Sequence, residues 1–127
     1  MRRDDPEVLR RGGLVDITTT GRRTGEPRRI EIALHVIRGR RFISGTPAPR
    51  RRSWLANLEA EPRFTLHVRE HGGADLPARA RIVDDEAERR EVLREVARAW
   101  NRDDIEEMVR HSPLIEVVLE PGAAAIG

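Results

Sequence analysis

The residues best suited to chemistry in this sequence lie between positions 18 and 28. There a threonine run, Thr18-Thr19-Thr20, opens into the turn Gly21-Arg22-Arg23-Thr24-Gly25-Glu26-Pro27-Arg28. Glycines let turn amides converge on an anion. Arginine adds a planar fork that fits phosphate oxygens two at a time. Thr20 and Thr24 offer hydroxyls to such a site, and Gly25 lets the backbone bend around it. The competing reading is a solvated hairpin with surface arginines, which composition alone favours.

A second constellation is Ser44-Gly45-Thr46-Pro47, followed by Arg50-Arg51-Arg52, Trp54 and Asn57. Small residues let a flat ligand approach the backbone, and Trp54 would make a wall for it. The alternative places Trp54 in the core and the arginine triplet in solvent. The histidines, His35, His67, His71 and His111, do not assemble into a metal site: His67 and His71 fall on a strand and its turn, without a third ligand. No G-x-S-x-G appears, so serine-hydrolase chemistry is not indicated. Carboxylates occur together only as helix-face acids, and no residue is assigned as a catalytic acid, base or nucleophile.

Composition narrows the classes further. The 127 residues suit one domain, residues 1–127. With no cysteine, disulfide scaffolds and thiol chemistry are out. No apolar run approaches the ~20 residues of a membrane span. The N-terminal MRRDDPEVLRR lacks the apolar segment of a secretory signal. The expectation is a cytoplasmic protein without stable membrane insertion.

All 24 basic residues are arginines, set against 22 acids. They are unevenly placed: residues 1–69 carry a net +8 and residues 70–127 a net −6. An anionic ligand belongs with the first half; mutual neutralisation of the halves is the alternative. Single-strand nucleic-acid binders need aromatic stacking platforms. With two tryptophans, two phenylalanines and no tyrosine, of which Phe64 and Trp100 read as core, the chain is not expected to bind nucleic acid.

Strand alternation positions these residues. It predicts strands over Leu14–Thr20, Arg28–Arg38, Arg41–Ser44, Arg63–Glu70, Leu76–Ile82 and Leu114–Glu120. His35 and His67 take outward-facing positions. A short helix is predicted over Ser53–Glu59, stopped by Pro62. A longer one is capped by Asp85 with Glu88 completing a capping box, and its apolar stripe runs from Val92 to Trp100. Asp103 or Asp104 caps a further short helix, and Ala123–Gly127 reads as a loose tail. Short connections favour antiparallel pairing. The fold class is therefore α+β, mainly β: a small barrel of about six mostly antiparallel strands with helices at its side.

The runs VDITTTGRRTGEPRRIEI (15–32) and FISGTPAPRRRSWLANLEAEPRFTLHV (42–68) resemble the deazaflavin-dependent nitroreductase family of split-β-barrel flavin/deazaflavin oxidoreductases. The match rests on T-T-x-G-R-x-[ST]-G-x-x-R and on Trp54-Leu55-Ala56-Asn57-Leu58, in that order. The resemblance implies a split barrel that binds coenzyme F420, a deazaflavin with a phosphate and a polyglutamate tail. It implies hydride transfer to a small-molecule acceptor of the quinone or nitro class. It places Arg22, Arg23 and Arg28 at the cofactor phosphate, Ser44, Gly45 and Thr46 beside the ring, and Trp54 and Asn57 in the wall of the pocket. FMN is the alternative cofactor, and a non-catalytic ligand-binding or nucleic-acid-binding protein the alternative function. Split barrels often pair, so a homodimer is expected.

Overall fold

A computed structural model describes residues 6–120. Six strands, β1 (Gly13–Thr20), β2 (Pro27–Ile37), β3 (Arg40–Ser44), β4 (Arg63–Val68), β5 (Ala74–Ile82) and β6 (Leu114–Leu119), are joined by four helices. The helices are α1 (Glu7–Arg11), α2 (Ser53–Ala60), α3 (Glu86–Ala99) and α4 (Ile105–His111). The strands close a barrel in the order β1-β2-β3-β6-β5-β4. Each neighbouring pair is antiparallel, and β1 with β4 closes the ring through Asp16↔His67 and Thr18↔Thr65.

Alternation along the strands feeds two cores. Inward positions such as Val15, Ile17, Leu34, Ile43, Leu66 and Ile115 fill the barrel. Two outward positions on β3 and β6 do not reach water: Phe42 and Leu114 pack with Val83 beneath α3 and α4. Phe42, 1% exposed, is therefore no more available as a stacking platform than Phe64.

Each end of the barrel is stoppered by a helix. α2 inserts Trp54, Leu55 and Leu58 at the C-terminal end of β1, and α1 inserts Val8 and Leu9 at its N-terminal end. The sequence pattern predicts α2 but not α1, since Val8 and Leu9 are too few to set a period. α1 is ordered from a distance. The Glu70 carboxylate accepts the Glu7 and Val8 amides at 2.8 and 2.7 Å, occupying two of the orphan donors of a helix start. The same role ends β4 at Val68, two residues before its expected end at Glu70. The tail expected to be loose, Ala123–Gly127, lies outside the described residues.

α3 starts at the predicted cap, the Asp85 carboxylate accepting the Glu88 amide at 2.9 Å, but the capping box is not completed, because the Glu88 carboxylate is drawn to Arg81 and Arg40. α4 begins after Asp104, whose side chain makes no cap bond. Instead the Arg89 guanidinium reaches from α3 to the carbonyls of Val83, Met108, Val109 and Ser112. This ties α3 to the end of α4, and partial burial lowers the guanidinium's pKa.

Outside the barrel, charges from the two halves of the chain meet. Arg40 and Arg81 share Glu88 and Glu116, with Nε–Oε distances of 2.9 Å from each arginine to Glu116. Arg38 pairs with Glu91. Hydrogen bonds from Arg40 hold Glu116 below the usual carboxylate range, and bonds from Arg81 do the same for Glu88. A carboxylate whose folded pKa is depressed adds stability above its unfolded value of about 4.3, lost as pH falls through the folded value. The urea midpoint should therefore drop on acidification below about pH 4, and Glu116→Gln should flatten that acid limb relative to the native chain.

Candidate functional site

The arginine-bearing loop between β1 and β2 is folded on itself. The Gly21 amide donates to the Glu26 carbonyl at 2.8 Å and the Gly25 amide to the Gly21 carbonyl at 2.7 Å. Gly25 sits at φ +76°, a left-handed value at which a Cβ is strained. The Thr24 hydroxyl accepts the Glu26 amide at 3.2 Å. Arg22, Arg23 and Arg28 are thereby displayed outward from a short, internally bonded bend.

One buried side chain fixes this bend to the barrel. Asn57 on α2, 4% exposed, accepts the Arg22 amide on Oδ1 at 3.1 Å and donates from Nδ2 to Thr19 Oγ1 at 3.1 Å. Arg22 Nη1 approaches the same oxygen at 3.4 Å. The amide thus uses both of its ends, joining helix, strand and loop.

Between this loop, β2 and α2 lies a cleft of about 680 Å³. One wall carries Arg22, Arg23, Arg28 and Arg29; the other carries Ser53, Trp54 and Asn57; no carboxylate lines it. Among the described residues Arg22 and Arg23 have no acidic partner, and Arg28 stands 3.9 Å from Glu26. Arg29 Nε bonds Asp16 at 2.9 Å. α2 starts at this cleft with no side-chain cap and no acid in its first turn. An open helix start presents amides and a partial positive charge. Guanidiniums without an acidic partner on one side and a helix N-terminus on the other give this cleft a positively charged lining.

The structure brings Arg22, Arg23, Thr24, Arg28, Trp54 and Asn57 to this cleft. It places the other sequence-predicted residues elsewhere. Thr20 and Gly25 line an adjoining groove with Arg63 and Phe64, because Thr20 pairs outward at the end of β1. Ser44 is 3% exposed, its hydroxyl donating to the Pro113 carbonyl at 2.6 Å. Gly45 and Thr46 lie beneath Arg52, whose Nη2 bonds the Thr46 carbonyl and hydroxyl at 2.6 and 2.9 Å. Thr19, Arg29 and Ser53 line the cleft without having been expected there. Only the β1–β2 register, with Thr19 opposite Arg28, would have signalled Thr19.

The outward histidines are covered. His67 bonds Thr18 Oγ1 through Nε2 at 2.6 Å and Asp75 through Nδ1 at 2.8 Å. His35 meets the Trp100 ring edgewise at 5.1 Å, and burial lowers its pKa.

The family model described as F420H(2)-dependent quinone reductase matches residues 7–121. No curated protein sequence matches the chain. Several solved structures share the fold. A conserved hypothetical protein from Mycobacterium tuberculosis superposes with TM-score 0.69 at 18% identity, covering 94% of this chain and 85% of that one. A putative 5-nitroimidazole antibiotic resistance protein from Bacteroides thetaiotaomicron gives TM-score 0.64 at 13% identity, with 90% and 76% coverage. An F420-H2 dependent reductase gives TM-score 0.58 at 23% identity, with 82% and 92% coverage.

Asn57→Ala strands the Thr19 hydroxyl and the Arg22 amide. It should lower unfolding free energy by about 1–3 kcal/mol, the cost of leaving a buried polar group unpaired. Hydrogen exchange should speed up at the Arg22 amide while the β4–β5 ladder stays protected.

Proposed function

The chain belongs to the F420H(2)-dependent quinone reductase family, and from that membership we propose that it reduces a small organic acceptor of the quinone or nitro class, holding coenzyme F420 in the cleft between the Gly21–Pro27 loop and α2. The observation that carries this reading is the carboxylate-free cleft, where Arg22 and Arg23, which have no acidic partner among the described residues, face the uncapped start of α2.

The residues fit the group. F420 carries a phosphate and a polyglutamate tail, and the cleft concentrates cations and amide donors without a competing acid. In this reading Arg22, Arg23 and Arg28 bind the phosphate, with Ser53 and the first amides of α2 opposing them. Trp54, 8% exposed, offers an aromatic edge where the helix meets the ligand. Asn57 is a positioning residue: it holds the Arg22 backbone so that the guanidinium does not have to be ordered when the ligand arrives, which lowers the entropic cost of binding. When bound, reduced F420 supplies the hydride, and the protein's contribution is position and electrostatics. No side chain in the cleft is required as a proton donor for the cofactor to bind.

The Arg22→Ala/Arg28→Ala double variant tests this assignment. Charge-assisted hydrogen bonds contribute about 1.5–3 kcal/mol each, so F420 affinity should fall by two orders of magnitude or more. Titration read by Trp54 fluorescence in a Trp100→Phe background measures it. Raising the salt concentration should weaken the native chain's binding and affect the double variant less. Unchanged affinity in the double variant would place the phosphate elsewhere.

A further inference from the structure

The opposite face of α2 borders a second cleft that the cofactor reading does not use. Its volume is about 460 Å³, within the range of small-molecule sites. Ala48, Pro49 and Ile82 supply apolar surface to it above the buried Leu55 and Val83, and Arg50, Arg51, Arg52, Arg89 and Arg110 surround it. Two interactions hold its walls together: the Ser44 hydroxyl on the Pro113 carbonyl at 2.6 Å, and the Ala48 amide on the His111 carbonyl at 3.4 Å.

The charge here is not internally cancelled. Of the two acids in the lining, Glu59 and Asp84, Glu59 is occupied by Arg51 at 3.1 Å and the exposed Asp84 acts on Arg89 through space, so five arginines face two carboxylates. Arg89 spends its donors on four backbone carbonyls and bonds no carboxylate. Among the described residues Arg50 and Arg110 form no salt bridge, and Arg110 acts on Glu106 only through space. Two polar atoms are also left over: Ser112 Oγ and Arg52 Nε are buried without a hydrogen-bond partner. Ser112 is 3% exposed, and an unpaired buried hydroxyl destabilises a fold that gains nothing from it.

We propose that this second cleft binds a small organic oxyanion, an apolar body bearing a carboxylate or phosphate, separately from the phosphate site at Arg22 and Arg28. Arg50 and Arg110 attract the anionic group at the rim. Ala48, Pro49 and Ile82 accept the body. Ser112 supplies a hydroxyl that the folded chain leaves unused. The proposal stands on this cleft alone and does not depend on the identity of the cofactor. Two sources share the chemistry, a free carboxylate and the glutamyl carboxylates of the cofactor tail, and the inference commits to the free molecule.

The probe is 4-nitrobenzoate, with 4-nitrobenzyl alcohol as its neutral counterpart, titrated calorimetrically into the full chain without cofactor. The native chain should bind the benzoate and bind the alcohol at least tenfold more weakly. Arg50→Gln/Arg110→Gln, at exposed positions, should lose at least tenfold in benzoate affinity and retain the native thermal midpoint. Ser112→Ala should weaken the benzoate while raising the midpoint of the free protein, a combination that a purely structural serine would not produce. Arg22→Ala/Arg28→Ala should leave benzoate binding unchanged. Failure to bind, equal binding of the alcohol, indifference to Arg50 and Arg110, or displacement by F420 would overturn the proposal. None of the first three outcomes bears on the F420 cleft, which the Arg22 and Arg28 variants test separately.

Discussion

A single buried amide pins the arginine-bearing loop to the helix that closes the barrel. Asn57 lies on α2, and α2 closes one end of the barrel by inserting Trp54, Leu55 and Leu58 among the inward side chains. Because that helix is locked by apolar packing, the Asn57 carboxamide is fixed as well. Both of its ends are committed, one to Thr19 on β1 and the other to the backbone of Arg22. Burial makes the arrangement stringent, since a displaced loop would leave polar groups unpaired in a water-poor place. The stability of the core is thereby transmitted to the position of the arginine bend.

The arginines do two different jobs on one surface. On the outer wall near α3, Arg40 and Arg81 surround Glu88 and Glu116, so the charge asymmetry between the halves of the chain is cancelled by folding. Around α2 it is cancelled only in part, by Arg51 on Glu59. Arg22 and Arg23 flank one cleft and Arg50 and Arg110 another, and neither pair meets a carboxylate among the described residues. Charges left unpaired near low-dielectric walls attract anions more effectively than a uniformly basic surface. The expectation of neutralised halves is met on the outer wall, while the clefts around α2 keep arginines that no salt bridge engages.

Much of the fold was legible because barrel strands repeat every two residues. Val15 and Ile17, then Ile43, Leu66 and Ile115, follow that period, and the observed strands begin and end close to their predicted limits. α1 was not legible. Its five residues carry no period, and its amides are satisfied by Glu70, 62 or more positions away. The burial of Phe42 was not legible for a related reason: it depends on α3 and α4 covering that side of β3. In the site, Arg22, Arg23, Arg28, Trp54 and Asn57 were identifiable from their motifs. Ser44–Thr46 were expected beside them, but their loop is drawn toward Pro113 and His111 and covered by Arg52.

By itself the sequence determined which segments alternate, where the turns fall and which family the chain joins, because each of these is carried by neighbouring residues. It also determined that the cations would be arginines concentrated in the first half. Which arginines remain unpaired was settled by the closing of the barrel, which brings Glu116 to Arg40 and leaves Arg22 facing the bare start of α2. Ion pairing and burial depend on distances between residues remote in the chain, and those distances exist only after β1 has closed on β4 and the helices have covered the ends and one side.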